Sequence, residues 1–188
     1  AFLSGVERLL RQRSDRILRA NARDVSAARR RGLSDAFIDR LTLSPERIEA
    51  MARAAAEICR LDDPVGELLW ETVRPNGLRI RKIRVPIGLI ALVYESRPDV
   101  TIEAACLCLK AGNAVLLRGG SEAARTNRVL ASILSDALSQ AGLPACAASL
   151  VSVGGRLAVR HLLTREGEID LVIPRGGESL IRTVVHLS

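Results

Sequence analysis

The stretch Val85–Asn127, VPIGLIALVYESRPDVTIEAACLCLKAGNAVLLRGGSEAARTN, is the most informative part of this chain for its fold. It contains two apolar runs, and each is followed by a polar turn and then by a segment with helical spacing. Ile87 to Tyr94 is apolar apart from Gly88, which is typical of a parallel strand that is covered on both faces. The pattern therefore predicts two consecutive strand-helix units of a parallel sheet.

The same alternation of strands and helices continues towards the C-terminus. Asp99 or Thr101 is expected to cap the first helix of the sheet, and Ser121 is expected to cap the second. Four strands separated by helices predict a parallel, right-handed, doubly wound α/β sheet, a Rossmann-like fold. The predicted strands are Ile87–Tyr94, Ala114–Leu117, Ser149–Val153 and Ile169–Ile173, with later helices at Arg156–Leu163 and from Glu178.

Residues 1–85 have a different pattern, which predicts helices followed by a β-hairpin. Apolar spacing indicates an amphipathic helix from Val6 to Ala28, and Ser44-Pro45 is typical of the start of another helix. Short alternating runs surround Pro75-Asn76-Gly77, and Asn-Gly favours the positive φ angles of a tight turn. A change of phase at Arg81-Lys82 predicts a bulge or a change of strand partner.

The domain boundary is expected near Val85, between these two patterns. Residues 1–85 are predicted to be a helical leader with a hairpin of the oligomerisation type, because an isolated hairpin is marginally stable in water. Residues 86–188 are predicted to be the α/β portion. We therefore expect a homo-oligomer that forms through the hairpin.

Bulk composition limits the classes of function. The formal net charge is +7, but only 2% of residues are aromatic and the arginines are mixed with acidic residues, so nucleic acid is not the expected partner. Charge and the RGG-like pairs still leave an RNA-binding domain as a hypothesis to test. No apolar run is long enough to span a bilayer and no signal-peptide pattern is present, so we expect no membrane and a cytoplasmic location.

The cysteines do not predict a metal site or disulfides. None forms a CxxC pair, and none has a histidine at metal-ligand spacing. We interpret them as small buried residues with reduced thiols, and neither histidine has a partner acid at a catalytic spacing. The cysteines are Cys59, Cys106, Cys108 and Cys146, and the histidines are His161 and His186.

Four polar turns follow the predicted strands, and ligands of an open parallel sheet bind at this carboxyl edge. Three of the four contain an arginine beside a glycine pair, which suits a phosphate: glycine allows close approach, and arginine offers a fixed fork of donors. The alternative to a phosphate site is that these glycines serve only to turn the chain. Arg97 is expected to face an anionic substrate or a phosphate, unless it only pairs with Glu95 or a helix end. The turns are Glu95–Asp99, Arg118–Glu122, Gly154–Arg156 and Pro174–Gly177.

Several segments together resemble the gamma-glutamyl phosphate reductases of the aldehyde dehydrogenase superfamily, in that family's order. The resemblance extends over essentially the whole chain and implies an aldehyde dehydrogenase-like cofactor domain. It also implies an oxidoreductase of proline biosynthesis that reduces L-glutamyl 5-phosphate with NADPH to glutamate 5-semialdehyde and phosphate. The segments are NARDVSAARRRGLSDAFIDRLTLSPERI, DDPVG, RVPIGLIALVYESRPDVT, CLKAGNAVLLRGGSEAARTN and IDLVIPRGGESLI.

The resemblance also implies roles for residues in the turns. Arg118 resembles the basic residue beside the adenosine ribose, and either Ser121 or Glu122 holds that ribose. Ser121 in this place would agree with NADPH, because no carboxylate would then repel the 2'-phosphate. Arg97 lies near the oxyanion-stabilising position of the superfamily. Asp99 departs from the asparagine that is expected in many members. The implied cofactor-binding residues are Glu95, Ser96, Arg118, Gly119, Gly120, Ser121, Glu122, Pro174, Arg175, Gly176 and Gly177, and the substrate-binding residue is Arg97.

The nucleophilic cysteine of the family lies beyond the PRGG helix, and this sequence stops at Ser188 before that position. None of the four cysteines matches it, so we expect no catalytic residue here and no activity of this chain alone. A fragment of a pyrroline-5-carboxylate synthase, which carries a similar domain, is an alternative. A nonenzymatic nucleotide-binding or interaction module is another.

Overall fold

The fold is taken from a computed structural model, which describes residues 1–151, 155–165 and 167–187. Helices dominate the N-terminal part, a two-stranded hairpin follows, and strands then alternate with helices. The helices are α1 (Phe2–Gln12), α2 (Ser14–Arg30), α3 (Asp35–Leu41), α4 (Pro45–Arg60), α5 (Val100–Lys110), α6 (Ala124–Gln140), α7 (Gly155–Leu163) and α8 (Glu178–Leu187). The strands are β1 (Leu68–Val73), β2 (Arg79–Ile83), β3 (Leu89–Tyr94), β4 (Ala114–Arg118), β5 (Ala148–Leu150) and β6 (Leu171–Arg175).

The main sheet has four parallel strands in the order β5-β4-β3-β6. The chain therefore moves outward from β3 to β5 and then returns to place β6 on the other side of β3. The predicted parallel, doubly wound α/β sheet is confirmed. The return to β6 brings the turns after β3, β4 and β6 to one edge of the sheet, because the carboxyl ends of parallel strands lie together.

Strand β3 is buried on both faces, as its continuous apolar run predicts. Ile90, Leu92 and Tyr94 belong to the large core that α1, α4, α5 and α6 build on one face of the sheet. Val93 belongs to a smaller cluster on the other face with residues of α7 and α8, including Val184. The period of two along a strand explains this division, since successive side chains point to opposite faces.

The N-terminal helices differ from the predicted single helix over Val6 to Ala28. The chain leaves helical geometry at Arg13, with φ of −109° and ψ of 16°, and continues as α2. This break lets α1 pack on α4 and α6 while α2 packs on α6 and α3, which one straight helix could not do. Helix α4 begins as predicted, because the Ser44 hydroxyl accepts a hydrogen bond from the amide of Arg47 at 3.2 Å.

Three strands of the sheet differ from their predicted positions. Strand β3 begins at Leu89 instead of Ile87, whose side chain is 52% exposed. Strand β5 covers Ala148–Leu150 instead of Ser149–Val153, of which 152–153 lie outside the described residues. Strand β6 begins at Leu171 instead of Ile169, because the Ile169 amide bonds to the carbonyl of Arg165 in the preceding turn. Apolar character alone does not show where a turn ends and a strand begins.

The hairpin forms as predicted, with antiparallel β1 and β2 around a tight turn. Gly77 has φ of +83°, and Asn76 Oδ1 accepts a hydrogen bond from the Leu78 amide at 3.1 Å. The register shifts between Leu68 and Trp70, so the extra residue lies on β1, opposite the place where β2 changes phase. Among the elements that the structure describes, β1 and β2 contact each other extensively, and neither strand contacts any other element as extensively.

None of the helices within the described residues is long and apolar enough to cross a membrane.

Candidate functional site

The candidate site is built from three turns at the carboxyl edge of the sheet. Strand β3 pairs with β4 on one side and with β6 on the other, so residues 95–99 lie between residues 119–122 and 176–177. Arg118 is the last residue of β4, and Pro174 and Arg175 still belong to β6. The fourth predicted turn, Gly154–Arg156, begins outside the described residues.

Two glutamates tie these turns together. Glu122 Oε1 accepts a hydrogen bond from the backbone amide of Ser96 at 2.8 Å, which joins the turns after β3 and β4. Glu95 Oε2 accepts one from the amide of Gly177 at 3.1 Å, which joins the turns after β3 and β6. Ser96 has φ of +62°, a conformation that costs energy for a residue with a Cβ atom. The contact with Glu122 stabilises this strained turn.

The glycines of these turns mostly make room for the chain itself. A Cβ atom on Gly120 would overlap the carboxylate of Glu122, and one on Gly119 would overlap the amide nitrogen of Asn127. A Cβ atom on Gly176 would lie 2.6 Å from Glu95 Oε2. Only Gly177, among these four, has room for a Cβ atom, which would make an ordinary contact of 3.9 Å with Glu95 Oε2. The glycine pairs therefore allow the two glutamates to join the turns.

The three arginines of the turns differ in their surroundings. Arg118 Nη1 donates to the carbonyl of Gly119 at 2.7 Å, and Arg175 Nη1 forms an ion pair with Glu103 Oε2 at 2.9 Å. The Arg97 side chain has no hydrogen bond or ion pair with any described residue, and Glu95 contacts Gly177 instead. The alternative in which Arg97 pairs with Glu95 is therefore not what the structure shows, and an exposed guanidinium is available to an anion.

The predicted helix caps at this edge are wrong. Asp99 occupies the N-cap position of α5 but makes no capping hydrogen bond, and Ser121 starts a short 3-10 helix, Ser121–Ala123, ahead of α6. Thr101 does not cap α5 either, because its hydroxyl lies 2.6 Å from the Tyr94 hydroxyl and donates to Asn127 Oδ1 at 3.1 Å. These side chains contact tertiary neighbours that local sequence does not reveal.

Three buried polar side chains next to this edge are joined by hydrogen bonds, which the sequence analysis did not predict. Tyr94, Thr101 and Asn127 are at most 2% exposed and link β3, α5 and α6 through their side chains. Burial raises the pKa of Tyr94 to about 12, so the phenol stays protonated and can donate. The sequence signal for these buried hydrogen bonds was the presence of polar residues inside otherwise apolar segments.

A second buried polar group, Asp24 on α2, fixes the start of α6 and was also missed. Asp24 Oδ2 accepts hydrogen bonds from both the amide and the hydroxyl of Thr126, each at 2.8 Å. Asp24 Oδ1 lies 3.1 Å from Arg125 Nη1. The helical leader therefore positions the helix that follows the Arg118–Glu122 turn.

The prediction that all four cysteines are buried is correct for only two of them. Cys106 and Cys108 are buried, but Cys59 and Cys146 are exposed, and all four thiols are free. Burial raises the pKa of Cys106 to about 12 and also raises that of Cys108, so neither favours the thiolate form. Within the described parts of the chain, no group of three or more histidine, cysteine, aspartate or glutamate residues could hold a metal ion.

Comparison with known proteins gives close relatives. No protein-family model matches the chain. It is 51% identical over 186 residues to gamma-glutamyl phosphate reductase of Thermobifida fusca, and 54% identical over 184 residues to that of Desulfovibrio desulfuricans. These matches cover 99% and 98% of this chain but 44% of each relative, so the chain spans less than half the length of these relatives.

Solved structures show the same similarity in three dimensions. Gamma-glutamyl phosphate reductase of Thermotoga maritima matches all of this chain with a TM-score of 0.96 at 40% identity, and the chain covers 45% of it. The Saccharomyces cerevisiae enzyme matches all of it with a TM-score of 0.93 at 30% identity, with 48% covered. A probable aldehyde dehydrogenase from Listeria monocytogenes matches all of it at 0.74 with 14% identity and 38% covered, which shows a shared fold. The expected aldehyde dehydrogenase-like fold is therefore confirmed.

Proposed function

We propose that this chain is the N-terminal, NADPH-binding part of a gamma-glutamyl phosphate reductase, an oxidoreductase of proline biosynthesis. The observation that carries the proposal is the identity of about half of all residues, over nearly the whole chain, with proteins of that name. The reaction reduces L-glutamyl 5-phosphate to glutamate 5-semialdehyde with release of phosphate. A cytoplasmic location agrees with four unpaired cysteines, two of them exposed.

Catalysis is divided in this proposal between the chain and the remainder of the enzyme. A bound nicotinamide cofactor would supply the hydride, and none of the four cysteines of this chain matches the nucleophile of the family. The turns after β3, β4 and β6 orient the cofactor, while the unpaired guanidinium of Arg97 attracts the anionic substrate. We therefore expect the chain alone to bind the cofactor without reducing the substrate.

The residues of the second turn fit a cofactor with a 2'-phosphate. The Glu122 carboxylate accepts a hydrogen bond from Ser96, and the exposed Ser121 hydroxyl precedes it in the turn. We propose that Ser121, not Glu122, faces the adenosine ribose, with the partly buried Arg118 beside it. A hydroxyl instead of a carboxylate would then face the ribose, while the Glu122 carboxylate is bonded to the Ser96 amide. This arrangement repels a 2'-phosphate less, which favours NADPH over NADH.

Calorimetry with NADPH and NADH tests the cofactor assignment. We expect saturable NADPH binding that is tighter than NADH binding, because Arg118 attracts the additional phosphate. Arg118→Ala should weaken NADPH binding about tenfold, the effect of losing one charge-assisted contact. NADH binding should change less.

Arg60→Ala is the matched control, because Arg60 is an exposed arginine at the end of α4. The neighbouring Cys59 carbonyl accepts a hydrogen bond from Lys110 at the far end of α5, away from the turns. Circular dichroism checks that each variant is folded, since Arg118 also donates to the carbonyl of Gly119. A folded parent chain that binds neither nucleotide would overturn the cofactor assignment and favour the nonenzymatic module.

The hairpin supports the proposed homo-oligomer. Both of its faces carry exposed apolar side chains, and such a patch is uncommon on a monomeric protein. The large apolar side chains that are exposed on or beside the hairpin are Leu61, Val65, Leu68, Leu69, Trp70, Val73, Leu78, Ile83, Val85 and Ile87.

Replacing Trp70 and Val73 together by serine should convert the oligomer to monomer. Their side chains are 47% and 57% exposed, so the change removes apolar contact area without emptying the core. Sedimentation velocity measures the mass of the parent chain and of the variant. Leu143→Ser, at an exposed leucine outside the hairpin, should leave the oligomer intact. A parent chain that sediments as a monomer at every concentration would contradict the proposal.

A further inference from the structure

A cavity of about 410 Å³ lies between α4 and α5, next to the turn that follows β3. Arg97 and Asp99 of that turn contribute to its lining, and Arg40 contributes from the end of α3. Consecutive residues of the turn after β3 therefore face different parts of the structure. The Ser96 amide contacts the turn after β4, whereas Arg97 lines the cavity.

The charged groups of the cavity fall into engaged and available sets. Arg47 is engaged, because it forms an ion pair with Asp39 at 2.8 Å and donates to the carbonyl of Thr42 at 2.7 Å. Glu103 is engaged with Arg175. Available groups are those without a side-chain hydrogen bond or ion pair to any described residue: the guanidinium groups of Arg40 and Arg97 and the half-buried carboxylate of Asp99.

The wall of the cavity beside these groups is apolar. Met51 and Ala55 of α4 and Ile102 of α5 line it and are at most 7% exposed. The cavity therefore offers cationic and anionic groups together with a surface for aliphatic carbon atoms. This combination suits a small zwitterion with a short carbon chain, because each charge finds an opposite partner and the methylene groups lose contact with water.

We propose that this cavity binds the α-amino and α-carboxylate groups of an amino acid, the glutamyl end of the substrate. Asp99 binds the α-ammonium group, Arg97 or Arg40 binds the α-carboxylate, and the methylene chain lies on the apolar wall towards the carboxyl edge of the sheet. The assignment rests on the proposed function for the identity of the amino acid. A phosphate dianion suits the cavity less well, because the available carboxylate of Asp99 lines the cavity together with the two available guanidinium groups and repels a dianion.

Titration of the chain with L-glutamine, followed by NMR of the backbone amides, tests this proposal. L-Glutamine retains both α-groups of the substrate and has no charge at its far end. Glutaramic acid lacks only the α-amino group, and 4-aminobutanamide lacks only the α-carboxylate. We expect saturable shifts at α4 and α5 with L-glutamine, and binding about tenfold weaker with either analogue.

Two variants assign the partners of the α-groups. Asp99→Asn should bind L-glutamine about tenfold more weakly and should no longer discriminate against glutaramic acid, because the partner of the ammonium group is lost. The double variant Arg40→Gln with Arg97→Gln should in the same way lose discrimination against 4-aminobutanamide. Arg160→Gln, at an exposed arginine of α7 on the other face of the sheet, should bind like the parent chain.

Two results would overturn the proposal. One is an absence of saturable L-glutamine binding by the folded chain at millimolar concentrations, and the other is binding that Asp99→Asn leaves unchanged. NADPH binding by the same preparation separates this proposal from the proposed function. NADPH binding without L-glutamine binding rejects the cavity alone. If the chain binds L-glutamine in a way that depends on Asp99 but does not bind NADPH, the cofactor assignment is rejected and the amino-acid site is retained.

Discussion

Replacing Gly88 by alanine is expected to lower the free energy of unfolding by about 3 kcal/mol. Gly88 precedes β3 and has φ of +126°, a conformation that residues with a Cβ atom rarely adopt. A Cβ atom there would overlap Asp170 Oδ2. The same oxygen accepts a hydrogen bond from the Leu89 amide at 2.7 Å, so a methyl group would strain the backbone and displace a bond that joins β3 to the segment before β6.

Urea unfolding of the parent chain and the variant measures this effect. Gly32→Ala is the matched control, because Gly32 has φ of +70° but a Cβ atom added there would meet no other atom within 4 Å. It should cost roughly 1 kcal/mol, the backbone contribution alone. Adding Asp170→Ala should make the Gly88 substitution less costly than in the parent chain. Equal costs for the Gly88 and Gly32 variants would contradict the steric explanation.

Asp24→Ala is expected to lower the free energy of unfolding by about 3 kcal/mol as well. Asp24 is 1% exposed, and its carboxylate accepts hydrogen bonds from the amide and hydroxyl of Thr126, which is fully buried. Alanine would leave both donors without an acceptor and would remove the partner of Arg125. Because this contact fixes α2 against the start of α6, hydrogen exchange should increase first at the start of α6.

Denaturant unfolding with hydrogen exchange at the start of α6 measures the Asp24 effect. Asp62→Ala, at an exposed aspartate in a loop, should change stability by less than about 0.5 kcal/mol. Thr126→Val retains the amide bond to Asp24 but removes the hydroxyl, which donates to Asp24 and accepts a longer bond of 3.4 Å from Asn21 Nδ2. It should cost roughly 1 kcal/mol. The role assigned to Asp24 would be wrong if its alanine variant unfolded at the same denaturant concentration as the Asp62 variant.

The glycines show why local sequence could predict the turns but not their internal contacts. The pair Gly119-Gly120 after an apolar strand correctly indicated a turn at the carboxyl edge. Its local chemistry suggested space for a phosphate, whereas the space at both residues is taken by Asn127 and Glu122. Which atoms approach a glycine depends on how the chain folds around it, and a pattern of single residues carries no such distances.

The N-terminal leader shows the same limit at a larger scale. The amphipathic spacing from Val6 to Ala28 identified the helical residues and their buried stripe. It did not reveal the break at Arg13, because both α1 and α2 have helical periodicity, and the break serves their packing on different neighbours. Propensity is a weak preference that tertiary contacts can override.

Local sequence was enough to establish the class of fold, the edge of the sheet that carries the turns, and the resemblance to one enzyme family. These features follow from apolar periodicity and from short ordered segments, which are local properties of the chain. Three-dimensional packing was needed to show that Glu95 and Glu122 join the turns, that Asp24 supports α6, and that Arg97 and Asp99 share a cavity with α4. Each of these facts is a distance between separate elements of the fold, and the close packing of helices on the sheet sets those distances.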